Sequence, residues 1–363
     1  MSSKKIINSI QFLRGFAALA VVIHHTGGYV KRYYEPTLLF ADKFSIGFAG
    51  VDLFFVISGF IIHFTSKNYI NNPSKLKEYL QKRFIRVYPI YWIITTILFF
   101  SSWVIIQMLG KNIFSIGYPN TLSAYIQTYT LFPLHFAINP VTWTLSYEIF
   151  FYLCFAFLIV SKRLWVIPAL ILAISFYNIS KNIPEIIEID LTYFNFIFSG
   201  YNFEFMLGFL IFQCYEKLKI SNSISVILLI GAISIIVLFG YSVGDYDSYK
   251  RILAFGFPSG IILFALLNLE RNQAISFPKF TLILGDASYA LYLIHFPMML
   301  FMNKIPQILG YSFNAYQEVW YSYIIIISII FTSIFVHKKI ELPVAKKLNS
   351  FLLENTENRE LKK

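Results

Sequence analysis

Residues 12–26 read Phe12-Leu-Arg14-Gly-Phe-Ala-Ala-Leu-Ala-Val-Val-Ile-His24-His25-Thr26. The run is apolar enough for a membrane-spanning helix, yet it has an arginine near its start and two histidines near its end. Arg14 and His25 are eleven residues apart. On a helix that is about three full turns, so the two side chains share a face about 16 Å apart along the axis. His24 lies about 100° further round and does not share that face; it reads as structural. A charged residue in a lipid-spanning helix costs at least roughly 2.5 kcal/mol, which makes Arg14 a functional candidate from the outset.

The rest of the chain extends the same reading. Of its 363 residues 57% are hydrophobic and only 13% charged, where a soluble domain carries about 25% charged residues. The mean hydropathy is +0.63. These values predict an all-α, polytopic transmembrane helical bundle. The 39 Phe, 25 Tyr and 5 Trp suit lipid-facing surfaces and interfacial belts. A net charge of +11 raises a nucleic-acid partner, but the basic residues sit at the edges of apolar runs, so the bilayer is the expected partner. Residues 1–9 lead into a full-length span without a small-residue cleavage site, so no cleavable leader is expected. Cys154 and Cys214 both fall in apolar spans and read as packing residues; neither a disulfide nor a metal site is expected.

Ten spans are predicted, at roughly 9–28, 45–64, 87–109, 142–160, 164–179, 195–215, 223–242, 252–269, 281–302 and 319–337. About ten helices would form one domain over residues 1–340, followed by a short charged tail at 341–363. Lys and Arg number 21 on the side that holds both ends of the chain and 8 on the other. The positive-inside rule then puts both termini in the cytoplasm. Arg14 is expected toward the cytoplasmic leaflet and His25 toward the outer one, with Asp52, Trp143 and Glu148 also toward the outer side.

Several polar blocks punctuate the spans. Arg83 and Arg86 in Lys82-Arg-Phe-Ile-Arg86-Val-Tyr-Pro-Ile-Tyr-Trp92 are three apart and share a helix face. Arginine suits bidentate phosphate binding, whereas Lys75, Lys77 and Lys82 read as anchors to lipid headgroups. Asp52, in Gly50-Val-Asp52-Leu-Phe-Phe-Val-Ile-Ser58-Gly59-Phe60, needs a partner or a polar cavity at membrane depth. Its neighbours Gly50 and Gly59 permit close helix packing. Glu148, in Trp143-Thr-Leu-Ser-Tyr-Glu148, has the chemistry to orient a histidine or move a proton. The ninth span holds Asp286-Ala-Ser288-Tyr289-Ala-Leu-Tyr292-Leu-Ile-His295. Its Gly-Asp-x-Ser string lacks the setting of an esterase nucleophile and is set aside.

Taken together, five blocks match one pattern in one order. They are Arg14-x10-His25, Gly50-Val-Asp-Leu-Phe-Phe-Val-Ile-Ser-Gly-Phe60, Arg83-x-x-Arg86-x-Tyr-Pro-x-Tyr-Trp92, Trp143-Thr-Leu-x-x-Glu148 and Ser288-Tyr-x-x-Tyr-Leu-x-His295. On these the chain resembles the acyltransferase 3 family of bacterial inner-membrane acyltransferases over nearly its whole length. Residue 82 is Lys where the family often has Arg. No appended periplasmic esterase-like domain is read in this chain.

The resemblance implies an acyl-coenzyme A donor, with acetyl-coenzyme A the leading candidate, and a carbohydrate or lipid-linked glycan acceptor. It implies a multi-pass protein of the bacterial inner membrane with no metal. Arg83, Arg86 and Arg14 are then expected to hold the anionic end of the donor. His25 is the expected general base, or alternatively the acylated group in a two-step route, and Glu148 its orienting carboxylate. Asp52, Ser58, Trp143, Tyr289 and His295 are candidates for an acceptor site or a structural polar site. The competing class is a secondary transporter that uses Arg14, Asp52, Glu148 and Asp286 along a substrate or proton path.

Overall fold

The computed structural model describes residues 7–33, 45–109, 121–133, 138–181, 192–243 and 249–360. Every element among them is helical. In chain order they are α1 (Asn8–Tyr33), α2 (Gly50–Ser66), α3 (Leu76–Leu109), α4 (Leu122–Thr130), α5 (Trp143–Val160), α6 (Val166–Lys181), α7 (Thr192–Ile197), α8 (Tyr201–Lys217) and α9 (Asn222–Phe239). The single turn α10 (Tyr249–Arg251) continues through a π-helical turn, Ile252–Gly256, into α11 (Phe257–Arg271). There follow α12 (Lys279–Asp286), α13 (Ser288–Ile308) and α14 (Ala315–Val336). A second π-turn, His337–Glu341, joins α14 to α15 (Leu342–Glu360).

The chain is a polytopic membrane helical bundle. Among the described residues eight helices are long and apolar enough to cross a membrane, and a ninth if Lys279–Asp286 and Ser288–Pro306 form one bent crossing. The first expected span, 9–28, corresponds to α1, which is helical through Arg14 and His25 but is not among those eight. The third span starts earlier than its apolar run. Helix α3 begins at Leu76 because Glu78 ties the basic stretch to a helix, pairing with Lys75 at 3.0 Å and with Lys82 one turn on. The predicted tail is helical through Glu360, and α15 packs along α3.

Two compact units divide the chain: residues 1–28, 38–68 and 166–288 form one, and 29–37, 69–165 and 289–363 the other. In the first unit α2 and α8 cross where Gly59 and Gly208 face each other's backbone. A Cβ at Gly59 would run into the Phe205 carbonyl oxygen, and one at Gly208 into the Val56 carbonyl oxygen. This is the small-residue contact that lets membrane helices approach closely. Around it Leu53, Val56, Ile57, Phe60, Phe212 and Leu263 form a buried cluster. The start of α1 is held by Glu270, whose two oxygens accept the Asn8 and Ser9 backbone N–H groups at 2.8 Å each. A carboxylate there satisfies otherwise orphaned donors and favours the helix dipole. On α9 the large side chains of Ile227, Ile230, Val237 and Leu238 are exposed, as a lipid-facing surface requires.

In the second unit the aromatic half of the Arg-x-x-Arg block closes the end of α4. Tyr91 donates to the Thr128 carbonyl at 2.6 Å, Trp92 to that of Tyr129 at 2.8 Å, and Tyr88 to that of Thr130 at 2.9 Å. Those are the last three carbonyls of the helix, where intrahelical donors run out; that of Thr128 also accepts the Leu131 N–H at 3.3 Å. Tyr88, Tyr91 and Trp92 thereby fix α3 against α4.

Candidate active site

The first unit carries Arg14, His24, His25, Asp52 and Ser58. Helix α1 is unbroken from Asn8 to Tyr33, so Arg14 and His25 do lie on one continuous helix. Both are partly buried. Arg14 donates from Nη1 to Gln11 Oε1 at 3.2 Å. His24 and His25 point differently: their rings meet edge-on at 5.2 Å, and His24 also packs edge-on against Phe48 at 5.5 Å. A Cβ at Gly47 would come within 3.0 Å of His24 Cβ and collide with the Ala20 carbonyl oxygen. The glycine is therefore what brings the Ser45–Ala49 turn onto this part of α1.

Asp52 has a partner that the sequence did not reveal. It is fully buried, and its two oxygens accept from Arg251 Nε and Nη2 at 2.8 Å each. The Arg251 guanidinium lies over the Phe48 ring at 4.9 Å and the Tyr201 ring at 5.3 Å. Glu204, also buried, lies beside Gly256, where a Cβ would come within 2.8 Å of its Oε1. Arg251 sits at the edge of an apolar run, where a basic residue reads as a topology signal. The unmet need of Asp52 was the only pointer to it. Ser58 is half-buried in α2.

The second unit holds Arg83, Arg86, Trp143, Glu148, Tyr289 and His295. Arg83 lies between two rings, 5.3 Å from Tyr79 and 5.3 Å from Tyr152. The Tyr152 hydroxyl donates to Glu148, so that carboxylate and Arg83 share one tyrosine. Arg86 lies over the Tyr289 ring at 5.4 Å, and its Nη1 donates to Glu341 Oε1 at 3.4 Å. Tyr289 is itself held by its hydroxyl, which donates to the Val87 carbonyl at 2.8 Å. The Glu341 Oε2 accepts from His337 Nδ1 at 2.8 Å. Each motif arginine thus has an aromatic face beside it; Arg86 also contacts the Glu341 carboxylate, while Arg83 shares Tyr152 with Glu148. Glu341 and His337 are functional candidates missed in the sequence, because Glu341 falls in the stretch read as a tail and His337 closes the tenth predicted span.

Two further candidates, His295 and Trp143, belong to the same unit. His295 is buried, with Nδ1 donating to the Tyr292 carbonyl at 2.7 Å. Tyr292 donates to the Val141 carbonyl at 2.9 Å and accepts from Thr144 at 2.8 Å. The ninth-span block is thus tied to the turn that opens α5. Trp143, at the first turn of α5, is partly exposed and stacks edge-on against Tyr147 at 5.8 Å. Among the described residues no three His, Cys, Asp or Glu side chains are grouped to hold a metal ion.

Comparison with known proteins fits these blocks into one family. The model of the acyltransferase domain family matches residues 7–338. The O-acetyltransferase OatA of Staphylococcus aureus is 28% identical over 382 residues, covering 96% of this chain and 58% of the relative. The exopolysaccharide production protein ExoZ of Rhizobium meliloti is 28% identical over 265 residues, covering 69% of this chain and 76% of the relative. The peptidoglycan O-acetyltransferase OatA of Listeria monocytogenes is 25% identical, covering 84% of this chain and 51% of the relative. The chain therefore spans little more than half the length of the OatA proteins. No solved structure matches it. With the match running through every block from Arg14 to His295, the chain belongs to the acyltransferase domain family.

Proposed function

We propose that this chain is an O-acetyltransferase of the bacterial inner membrane, with both termini in the cytoplasm. It moves an acetyl group from acetyl-coenzyme A to a hydroxyl of a cell-surface or lipid-linked glycan. The observation that carries the reading is the family match over residues 7–338. The names of the relatives, which speak of peptidoglycan O-acetylation and exopolysaccharide production, support the glycan acceptor.

The residues divide the work by their chemistry. Arg83 and Arg86 take the phosphates of the donor, because a planar guanidinium binds phosphate bidentately and keeps its charge at any working pH. Arg14 is the third cation assigned to the donor. His25 takes the proton of the acceptor hydroxyl as that oxygen attacks the thioester carbonyl. The C–O bond forms, the C–S bond breaks, and the proton passes to the leaving thiolate. Glu148 supplies a carboxylate to this machinery. The transporter reading is weakened by Asp52, which is closed on Arg251 and so is not available to line a path.

The test is transfer by the purified protein. Membrane-reconstituted protein is given labelled acetyl-coenzyme A with and without a glycan acceptor, beside the variant His25→Ala. Acceptor-dependent release of coenzyme A and labelled glycan are expected, both lost in His25→Ala. Full transfer by that variant would overturn the assignment of the base. A wild type that neither hydrolysed acetyl-coenzyme A nor transferred its acetyl group would overturn the donor.

A further inference from the structure

The π-turn between α14 and α15 brings His337 and Glu341 to one side of the helix. Both are buried, while Lys338 and Lys339 between them are exposed. π-Turns within long helices are rare and concentrate at functional sites. The two oxygens of Glu341 are divided: Oε2 accepts from His337 Nδ1 at 2.8 Å and Oε1 accepts from Arg86 Nη1 at 3.4 Å. The second contact joins residues 255 positions apart in sequence, so it ties the end of the chain to the Arg-x-x-Arg block.

Arg86 is thereby held on two of its sides. Glu341 takes Nη1, and the Tyr289 ring covers one face at 5.4 Å. Tyr289 is fixed in turn by its bond to the Val87 carbonyl. Among the described residues Nε and Nη2 make no hydrogen bond, and 39% of the side chain is exposed. That leaves the Nε/Nη2 edge, a pair of parallel N–H groups not engaged by Glu341, open to a ligand. A guanidinium loses little entropy on binding a phosphate when its plane is already fixed.

We infer that Glu341 and His337 are positioning residues that fix the Arg86 guanidinium so that its Nε/Nη2 edge meets the donor's phosphate. His337 acts at one remove. Its Nδ1–H locks the carboxylate, because an ionised carboxylate only accepts hydrogen bonds and its rotation is stopped when both oxygens are occupied. Glu341 also keeps the charge of Arg86 balanced when no donor is bound. This inference rests on the proposed reading of Arg86 as a donor-binding residue.

The experiment is a double-mutant cycle on reconstituted full-length protein with acetyl-coenzyme A as the varied substrate. Arg86→Ala, Glu341→Gln and the double variant are compared. Glu341→Gln is expected to raise the KM for acetyl-coenzyme A about tenfold with kcat within about twofold of wild type, the loss of one charge-assisted contact. In the Arg86→Ala background the same change is expected to add nothing, because residues that act through one another are not additive. His337→Ala is expected to raise KM about threefold, a smaller loss than the direct contact, and His337→Asn, which keeps an N–H donor, to restore it. The His337 pair also serves if Glu341→Gln fails to reach the membrane. An unchanged KM in Glu341→Gln, or a full further effect in the Arg86→Ala background, overturns the positioning role. An unchanged KM in Arg86→Ala instead overturns the donor reading of Arg86, and the inference with it.

Discussion

Asp52 and Arg251, 199 positions apart in sequence, meet as a buried two-pronged ion pair with both contacts at 2.8 Å. Such a pair stabilises little against an apolar substitute, but removing one member leaves a charge without compensation, at roughly 3–5 kcal/mol. Asp52→Leu and Arg251→Met are each expected to lower the thermal stability of the solubilised protein sharply. The double variant should recover most of the loss. If each single variant melted like the wild type, the pair would have no part in holding α2 to the π-turn after Arg251.

The two adjacent histidines are expected to differ in kind. His24 packs against Phe48 and the Gly47 turn, whereas His25 is on the face it shares with Arg14. His24→Phe keeps an aromatic ring in place and should retain most activity. His25→Phe should lose nearly all of it, on the order of the 10²–10⁴-fold that general-base catalysis supplies. Both variants should be present at normal levels in the membrane, as judged by immunoblot. Equal losses in the two would refute the distinction.

How far these features were legible differs by residue. The spans were readable because hydrophobic runs at membrane length admit few alternatives. Arg83 and Arg86 were readable as a pair because helical spacing puts i and i+3 on one face. Arg251 was not, since a basic residue beside a span has the same appearance whether it anchors to headgroups or pairs with Asp52. Glu341 and His337 were hidden for a similar reason: at the boundary between the last apolar run and the charged segment after it, no periodicity announces a buried turn. Tyr88, Tyr91 and Trp92 were legible as a motif, but their structural work was not. Their acceptors belong to α4, a helix of nine residues too short to be read from its pattern.

The crossing of α2 and α8 yields a sterically defined prediction. At Gly59 and Gly208 the groups a side chain would meet are backbone atoms of the other helix, which cannot rotate away. Gly59→Ala is expected to force the helices apart and to cost at least the roughly 1–3 kcal/mol of an overpacked core. Gly231 on α9, where an added Cβ meets nothing within 4 Å, is the control. Gly231→Ala should be neutral or slightly stabilising, because alanine is the better helix former. Thermal unfolding followed by light scattering separates the two. Equal melting of both variants would show that the crossing is looser than its geometry indicates.

Asn139 repairs a helix that Pro297 interrupts. Within α13 the Leu293 carbonyl would accept from the N–H of residue 297, which proline lacks. Asn139 Nδ2 donates to that carbonyl instead, at 2.8 Å, with both residues buried. The same device recurs at Pro306, where the Tyr321 hydroxyl donates to the Met302 carbonyl at 2.7 Å. Asn139→Ala should therefore leave a buried carbonyl unsatisfied, at about 1–3 kcal/mol. Adding Pro297→Ala returns an N–H to position 297, and with it the helical bond to Leu293. The double variant Asn139→Ala with Pro297→Ala is thus expected to be more stable than Asn139→Ala alone. Melting temperatures of the four proteins of this cycle measure the effect. A double variant no more stable than Asn139→Ala would mean that Asn139 acts through some contact other than the Leu293 carbonyl.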